Sequence, residues 1–161
     1  MACQDTTPRT DFMRRALELA GQNIDENGGP FGAVIAYQGQ IIAEGTNRVV
    51  PDNDPVSHAE INAIRKACKS FSSFSLKGCE LYTSCEPCPM CLGAIYWARL
   101  DRVFYAAGRK QAARAGFDDE FIYEEFDISP SQRSVPMVNF LGEEADSIFA
   151  KWEQTHNKTF Y

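Results

Sequence analysis

Residues 78–107, "GCELYTSCEPCPMCLGAIYWARLDRVFYAA", constrain the fold more tightly than any other part of this chain. "GCELYTS" (78–84) reads as a short buried strand. "PCPMCLGAIYWAR" (87–99) reads as a helix with proline in its first turn, and "DRVFYAA" (101–107) as a second strand. Two strands joined by a crossover helix pair in parallel, and a parallel pair needs apolar cover on its faces.

The preceding residues extend the sheet. Thr10 or Asp11 can cap a first helix, with Phe12, Met13, Ala16, Leu17, Leu19, Ala20 and Ile24 near one face and "NGGP" (27–30) ending it. "FGAVIAYQGQIIAEG" reads as a hairpin turning at Gln38–Gly39. "PDNDPVS" (51–57) is a turn leading into a helix from His58 to about Ser70. Beyond the second strand come a helix from about Lys110, a stretch of undecided structure, and a last helix from near Glu143 into "HNKTFY". No repeat, linker or low-complexity tract interrupts the chain. The expectation is an α/β fold, one domain over residues 1–161: a mixed central β-sheet, an antiparallel hairpin then parallel strands, with helices on both faces.

A chain of 161 residues with 44% hydrophobic and 24% charged residues has a globular composition, which excludes the disordered and membrane-spanning classes. "MACQDTTPRTD" has no apolar leader core, so the expected location is cytoplasmic and the six cysteines are expected to stay reduced. A disulfide framework is then disfavoured, leaving metal binding, catalysis or burial. A net charge of −6 suits nucleic acid poorly. The basic run Arg99, Arg102, Arg109, Lys110 and Arg114 reads as a solvated face balanced by "FDDEFIYEEFD".

Cys85, Cys88 and Cys91 fall three residues apart. An iron–sulfur loop of this spacing needs a fourth cysteine where Ile95 stands. A redox pair at Cys88 and Cys91 is an alternative that needs no histidine. A zinc site needs one more ligand. Of the two histidines, His156 lies in the tail and His58 at a helix start, in "SHAE". Three protein ligands, His58, Cys88 and Cys91, leave the fourth tetrahedral position to water or hydroxide, which marks a catalytic zinc. Cys85 reads as a buried strand-end thiol, the alternative being a closed site of three cysteines and one histidine.

Glu60 has two readings. Ser57-x-x-Glu60 fits a capping box. His58-x-Glu60 with Pro87-Cys88-x-x-Cys91 also fits the H-x-E…P-C-x-x-C signature of zinc-dependent nucleobase deaminases, in which the glutamate carries protons. The amide of Ala59, at the same helix start, can donate to a substrate oxygen.

Over nearly its whole length the chain resembles the cytidine-deaminase-like superfamily, and within it the small bacterial-type guanine deaminases. The resemblance is carried by "GGPFGAVI", "IIAEGTNRVV", "NDPVSHAEINAIRKAC", "LYTSCEPCPMCLGAIYWAR", "VFYAA", "AGFDDEFIY" and the terminal "KTFY". It implies a three-layer α/β/α fold, one zinc per chain, and hydrolysis of guanine to xanthine and ammonia with Glu60 as proton carrier. It also implies that Asp119, rather than Asp118, meets the donor edge of guanine and that Asn47 holds the purine. Phe31 and Trp97 would be pocket-wall aromatics, their alternative being plain core. The implied assembly is a homodimer that exchanges a C-terminal segment of about 143–161, bringing Tyr161 to the pocket. Alternatives within this chemistry are adenosine deamination in tRNA and deamination of guanosine, cytosine or s-triazines. From another class, a non-catalytic zinc-binding interaction module remains.

Overall fold

A computed structural model describes residues 7–161; the readings placed on Cys3 and on the first six residues lie outside them. The chain divides into two compact units, the boundary falling between Asp119 and Glu120.

The first unit is built on four strands, β1 (Gly32–Tyr37), β2 (Gln40–Thr46), β3 (Cys79–Cys85) and β4 (Arg102–Ala107), in the order β2-β1-β3-β4. β1 pairs antiparallel with β2 and with β3, and β3 pairs parallel with β4. The mixed sheet is therefore as expected from the alternation of elements. Gln38 and Gly39 both take positive φ, 49° and 77°, which gives the two-residue turn of β1–β2 the twist that its strands require.

Alternation along the strands sends side chains to two cores. Ala33 and Ile35 of β1 and Cys79 and Leu81 of β3 pack with α3 (Ala59–Phe71) and with Ile95 of α4 (Pro89–Trp97). Val34, Ala36 and Tyr82 face the other way, onto Phe12 and Leu19 of α1 (Thr10–Asp25). Helices thus cover both faces, completing the three layers.

α1 departs from its reading in two respects. Its N-cap is Arg9, which bonds the Asp11 carboxylate at 2.7 Å, so neither Thr10 nor Asp11 caps it. Its inward stripe runs Phe12, Ala16, Leu19, Asn23, and Leu17 and Ile24 are exposed. Apolar periodicity selected Ile24 where a polar side chain one residue earlier turns inward.

Close contact between β2 and α3 depends on Gly45. A Cβ there would collide with the Ala59 carbonyl and lie 2.6 Å from the Ala63 nitrogen. The absence of a side chain lets the helix start settle over the sheet. A short helix, α2 (Val49–Asp52), occupies part of what reads as a turn, closed by Asn53 in the left-handed region. α5 (Arg109–Arg114) follows β4 directly, Gly108 being its N-cap.

The second unit holds α6 (Glu120–Asp127), a 3-10 turn at Pro130–Gln132, and α7 (Gly142–Gln154). The Arg133 guanidinium donates to the Glu125 carbonyl at 2.9 Å. Lys158 caps the end of α7, donating to the carbonyls of Trp152 and Glu153 at 3.1 and 2.6 Å. Neither helix has a buried residue. No helix among the described residues is long and apolar enough to cross a membrane.

Candidate metal centre

Two helix starts converge at the carboxyl end of β3. His58 is the N-cap of α3 and Cys88 the N-cap of α4, both with extended backbone that lets the side chain project beyond the helix end. Pro89 at the first helical position sacrifices no hydrogen bond, because that amide has no acceptor within a helix. The segment leading into α4 is pinned by the Glu86 amide, which donates to the Ala107 carbonyl at 2.8 Å.

His58 Nδ1 lies 3.6 Å from Cys88 Sγ and 3.5 Å from Cys91 Sγ. The three donors lie within 4.8 Å of one another. A tetrahedral zinc with Zn–N near 2.05 Å and Zn–S near 2.3 Å has N···S edges of about 3.6 Å. The donor set therefore fits zinc in both chemistry and spacing. A hydrogen bond from Cys91, aided by His58, pulls the Cys88 thiol down to about 4 against its burial. The same bond and burial push Cys91 up. Cys88 in turn raises His58. Cys85 stands apart from this group at the end of β3, its thiol pushed up to about 11 by burial.

Glu60 is buried in the first turn of α3. Its Oε1 accepts the Thr83 hydroxyl at 3.1 Å, and its Oε2 accepts Cys91 Sγ–H at 3.5 Å. Burial raises its carboxyl. Ser57 and Glu60 form no capping box: the N-cap is His58 without a side-chain cap, and the Ser57 hydroxyl meets Asn62. The glutamate carboxylate meets Thr83, Cys91 and its own backbone instead of closing a cap with Ser57. Ala59, fully buried, follows His58 as the first residue of the helix.

Asn47, just past β2, is buried; its amide donates to the Phe31 carbonyl at 3.1 Å and its Oδ1 accepts the Val49 amide at 3.3 Å. Phe31 meets Phe117 edge-on, ring centres 4.9 Å apart, which joins the "GGPF" loop to "GFDD". Asp119 Oδ1 lies 3.6 Å from Arg109 Nε. Burial raises the Asp119 carboxyl, Arg109 opposes this, and the charge on Cys88 adds to it. Trp97 is two-thirds exposed at the far end of α4, about 13 Å along the helix from Cys88 at 1.5 Å per residue. Tyr161 is exposed in the second unit.

The sequence reading passed over Thr83, and it placed Arg109 only in a solvated basic run, whereas its guanidinium faces Asp119. Thr83 did leave a signal: two hydroxyls, Thr83 and Ser84, follow the apolar Leu81–Tyr82 in the buried half of the strand, immediately before the cysteines, and each is used.

Residues 6–107 match the family described as the cytidine and deoxycytidylate deaminase zinc-binding region. The chain is 54% identical to the guanine deaminase of Bacillus subtilis (strain 168) over 151 residues, covering 93% of this chain and 97% of that one. It is 42% identical to the tRNA-specific adenosine deaminase of Agrobacterium fabrum over 99 residues, 62% of this chain and 65% of that one. The X-ray structure of guanine deaminase from Bacillus subtilis superposes with a TM-score of 0.93 at 52% identity, covering 96% of this chain and 99% of that one. The chain belongs to the cytidine and deoxycytidylate deaminase zinc-binding family, and zinc is its cofactor.

Proposed function

We propose that the chain hydrolyses guanine to xanthine and ammonia. The observation that carries this reading is a carboxylate, Asp119, which faces Arg109 at 3.6 Å, feels the charge on Cys88, and lies outside the family's zinc-binding stretch but within the longer span shared with the Bacillus subtilis guanine deaminase. Guanine presents adjacent N–H donors at N1 and N2, which a carboxylate accepts; adenine presents an acceptor at N1. The likeness to the Agrobacterium tRNA deaminase covers only 62% of the chain.

His58, Cys88 and Cys91 would hold the zinc, which, when bound, would supply a Lewis-acidic position that brings the pKa of water near neutrality. Glu60 takes one proton from the attacking water and delivers it to the ring nitrogen beside C2 as oxygen bonds to C2, then takes the second from the C2 hydroxyl and delivers it to the amino group as the C2–N bond breaks and ammonia leaves. Thr83 fixes the carboxylate, so only Oε2 is left to face the reacting atoms. Asn47 and the amide of Ala59 orient the purine, Phe31 contacts its face, and Asp119 selects its donor edge.

The partner in this reading is a second copy of the chain, exchanging the segment of about 143–161 so that Tyr161 of one protomer closes over the site of the other. It is supported by the second unit, whose helices bury no residue and which exposes Phe140, Phe149, Phe160 and Tyr161. Trp97 stands exposed at the far end of α4, and in this reading its pocket role is met at a subunit boundary.

The test is ammonia release from a panel of guanine, guanosine, adenine, cytosine and tRNA. Turnover of guanine well above the others is expected. Preference for tRNA would reassign the substrate, and stable zinc with no turnover of any member would make the chain a binding module.

A further inference from the structure

Asn23 is 1% exposed in the last turn of α1, and the deamination chemistry makes no use of it. Its Nδ2 donates one hydrogen to the Gly29 carbonyl at 2.7 Å and the other to the Asn47 carbonyl at 2.8 Å. Two acceptors on one side settle which end of the amide is nitrogen. The Asn23 main-chain carbonyl accepts the Gly28 amide at 2.9 Å. Its Oδ1, by contrast, is buried with no hydrogen-bond partner.

That orphaned oxygen is informative. An unpaired buried carbonyl is unfavourable, and an apolar side chain of the same shape would avoid it. The residue is therefore held for its two donors. They join three segments remote in sequence: the end of α1, the loop before β1, and residue 47 beyond β2. The junction is tight, since a Cβ on Gly29 would lie 3.2 Å from both the Asn47 side chain and the Phe31 ring, and one on Gly28 would collide with the Asn23 amide.

We propose that Asn23 is a positioning residue for the substrate, setting through its two N–H groups where Asn47 and Phe31 stand. The inference rests on the reading of Asn47 as a purine contact.

The experiment uses the full-length zinc-loaded protein and guanine, with kcat, KM and zinc per chain measured for Asn23→Leu, Asn47→Ala and the double variant. Asn23→Leu is expected to keep its zinc and to show a drop of about 10- to 100-fold in catalytic efficiency, kcat/KM, the scale of a small misplacement of a binding group. If it acts through Asn47, the double variant is no worse than Asn47→Ala alone. Met13→Ala, which loosens the same helix, is expected to lower Tm but not kcat/KM. Should Asn23→Leu not fold, Asn23→Ala takes its place in the same cycle. Costs that add in full, unchanged kcat/KM in the Asn23 variants, or an equal loss in Met13→Ala each overturn the proposal. An Asn47→Ala variant with full activity overturns the purine role of Asn47 itself, and is told apart by that single variant.

Discussion

The Thr83 hydroxyl donates to Glu60 Oε1 across 3.1 Å, and both residues are buried at the carboxyl end of β3. One oxygen of the glutamate is thereby committed and the other faces Cys91. Thr83→Val keeps the shape and removes the donor. It is expected to lower kcat about ten-fold, in line with the loss of one hydrogen bond to a charged group, with zinc content unchanged. Glu60→Gln is expected to keep both fold and zinc and to lose about 10²- to 10⁴-fold in kcat. Turnover and melting temperature measured on one sample check both. A Glu60→Gln protein with near-normal turnover would remove the glutamate from the chemistry.

Metal analysis should find one zinc per chain, lost on changing His58, Cys88 or Cys91 to alanine. Chelation should abolish turnover, and zinc should restore it. Cys85→Ala is expected to keep both metal and activity, because that thiol lies outside the donor group and burial holds it protonated. Loss of zinc in Cys85→Ala would instead indicate a closed four-ligand site.

Asp119→Asn replaces two acceptors with one acceptor and one donor against a substrate edge made of donors. Turnover of guanine at low substrate concentration is expected to fall by about 10²-fold or more, with little change in melting temperature. The comparison is Asp118→Asn, expected to be close to unaltered. If the two variants exchange behaviour, the recognition role moves by one residue.

Removing Phe160 and Tyr161 should leave zinc content and folding intact and sharply lower kcat/KM for guanine, while the solution mass of the full chain should be that of a dimer. A monomeric full chain, or a truncated chain with unaltered kinetics, would end the exchange reading.

Much of the sheet was legible because its signals are local. The period-two runs, the Gln38–Gly39 turn and the proline at the start of α4 each act within a few residues. The metal group was legible for a related reason: both halves sit at helix starts, and each is a motif of a few residues. What escaped was held by contacts distant in sequence. Thr83 acquires its role only when β3 lies beside the first turn of α3. Asn23 occupies an inward position that apolar periodicity assigns to its neighbour, since a pattern of hydrophobic residues is blind to a polar group whose partners come from Gly29 and Asn47. The Ser57–Glu60 cap was ambiguous in the sequence because one spacing serves two geometries; the His58 cap decides between them.

The hairpin turn at Gln38–Gly39 has a practical use. Tyr37 pairs with Cys79, the first residue of β3, whereas the metal group gathers beyond its last, Cys85. The turn therefore lies at the opposite end of the sheet, roughly 20 Å away at the rise of an extended strand. Both of its residues are exposed. A short epitope or fluorophore-bearing peptide spliced between them should leave catalysis untouched, giving a handle for immobilising the enzyme or following its folding from the end of the sheet remote from the metal group.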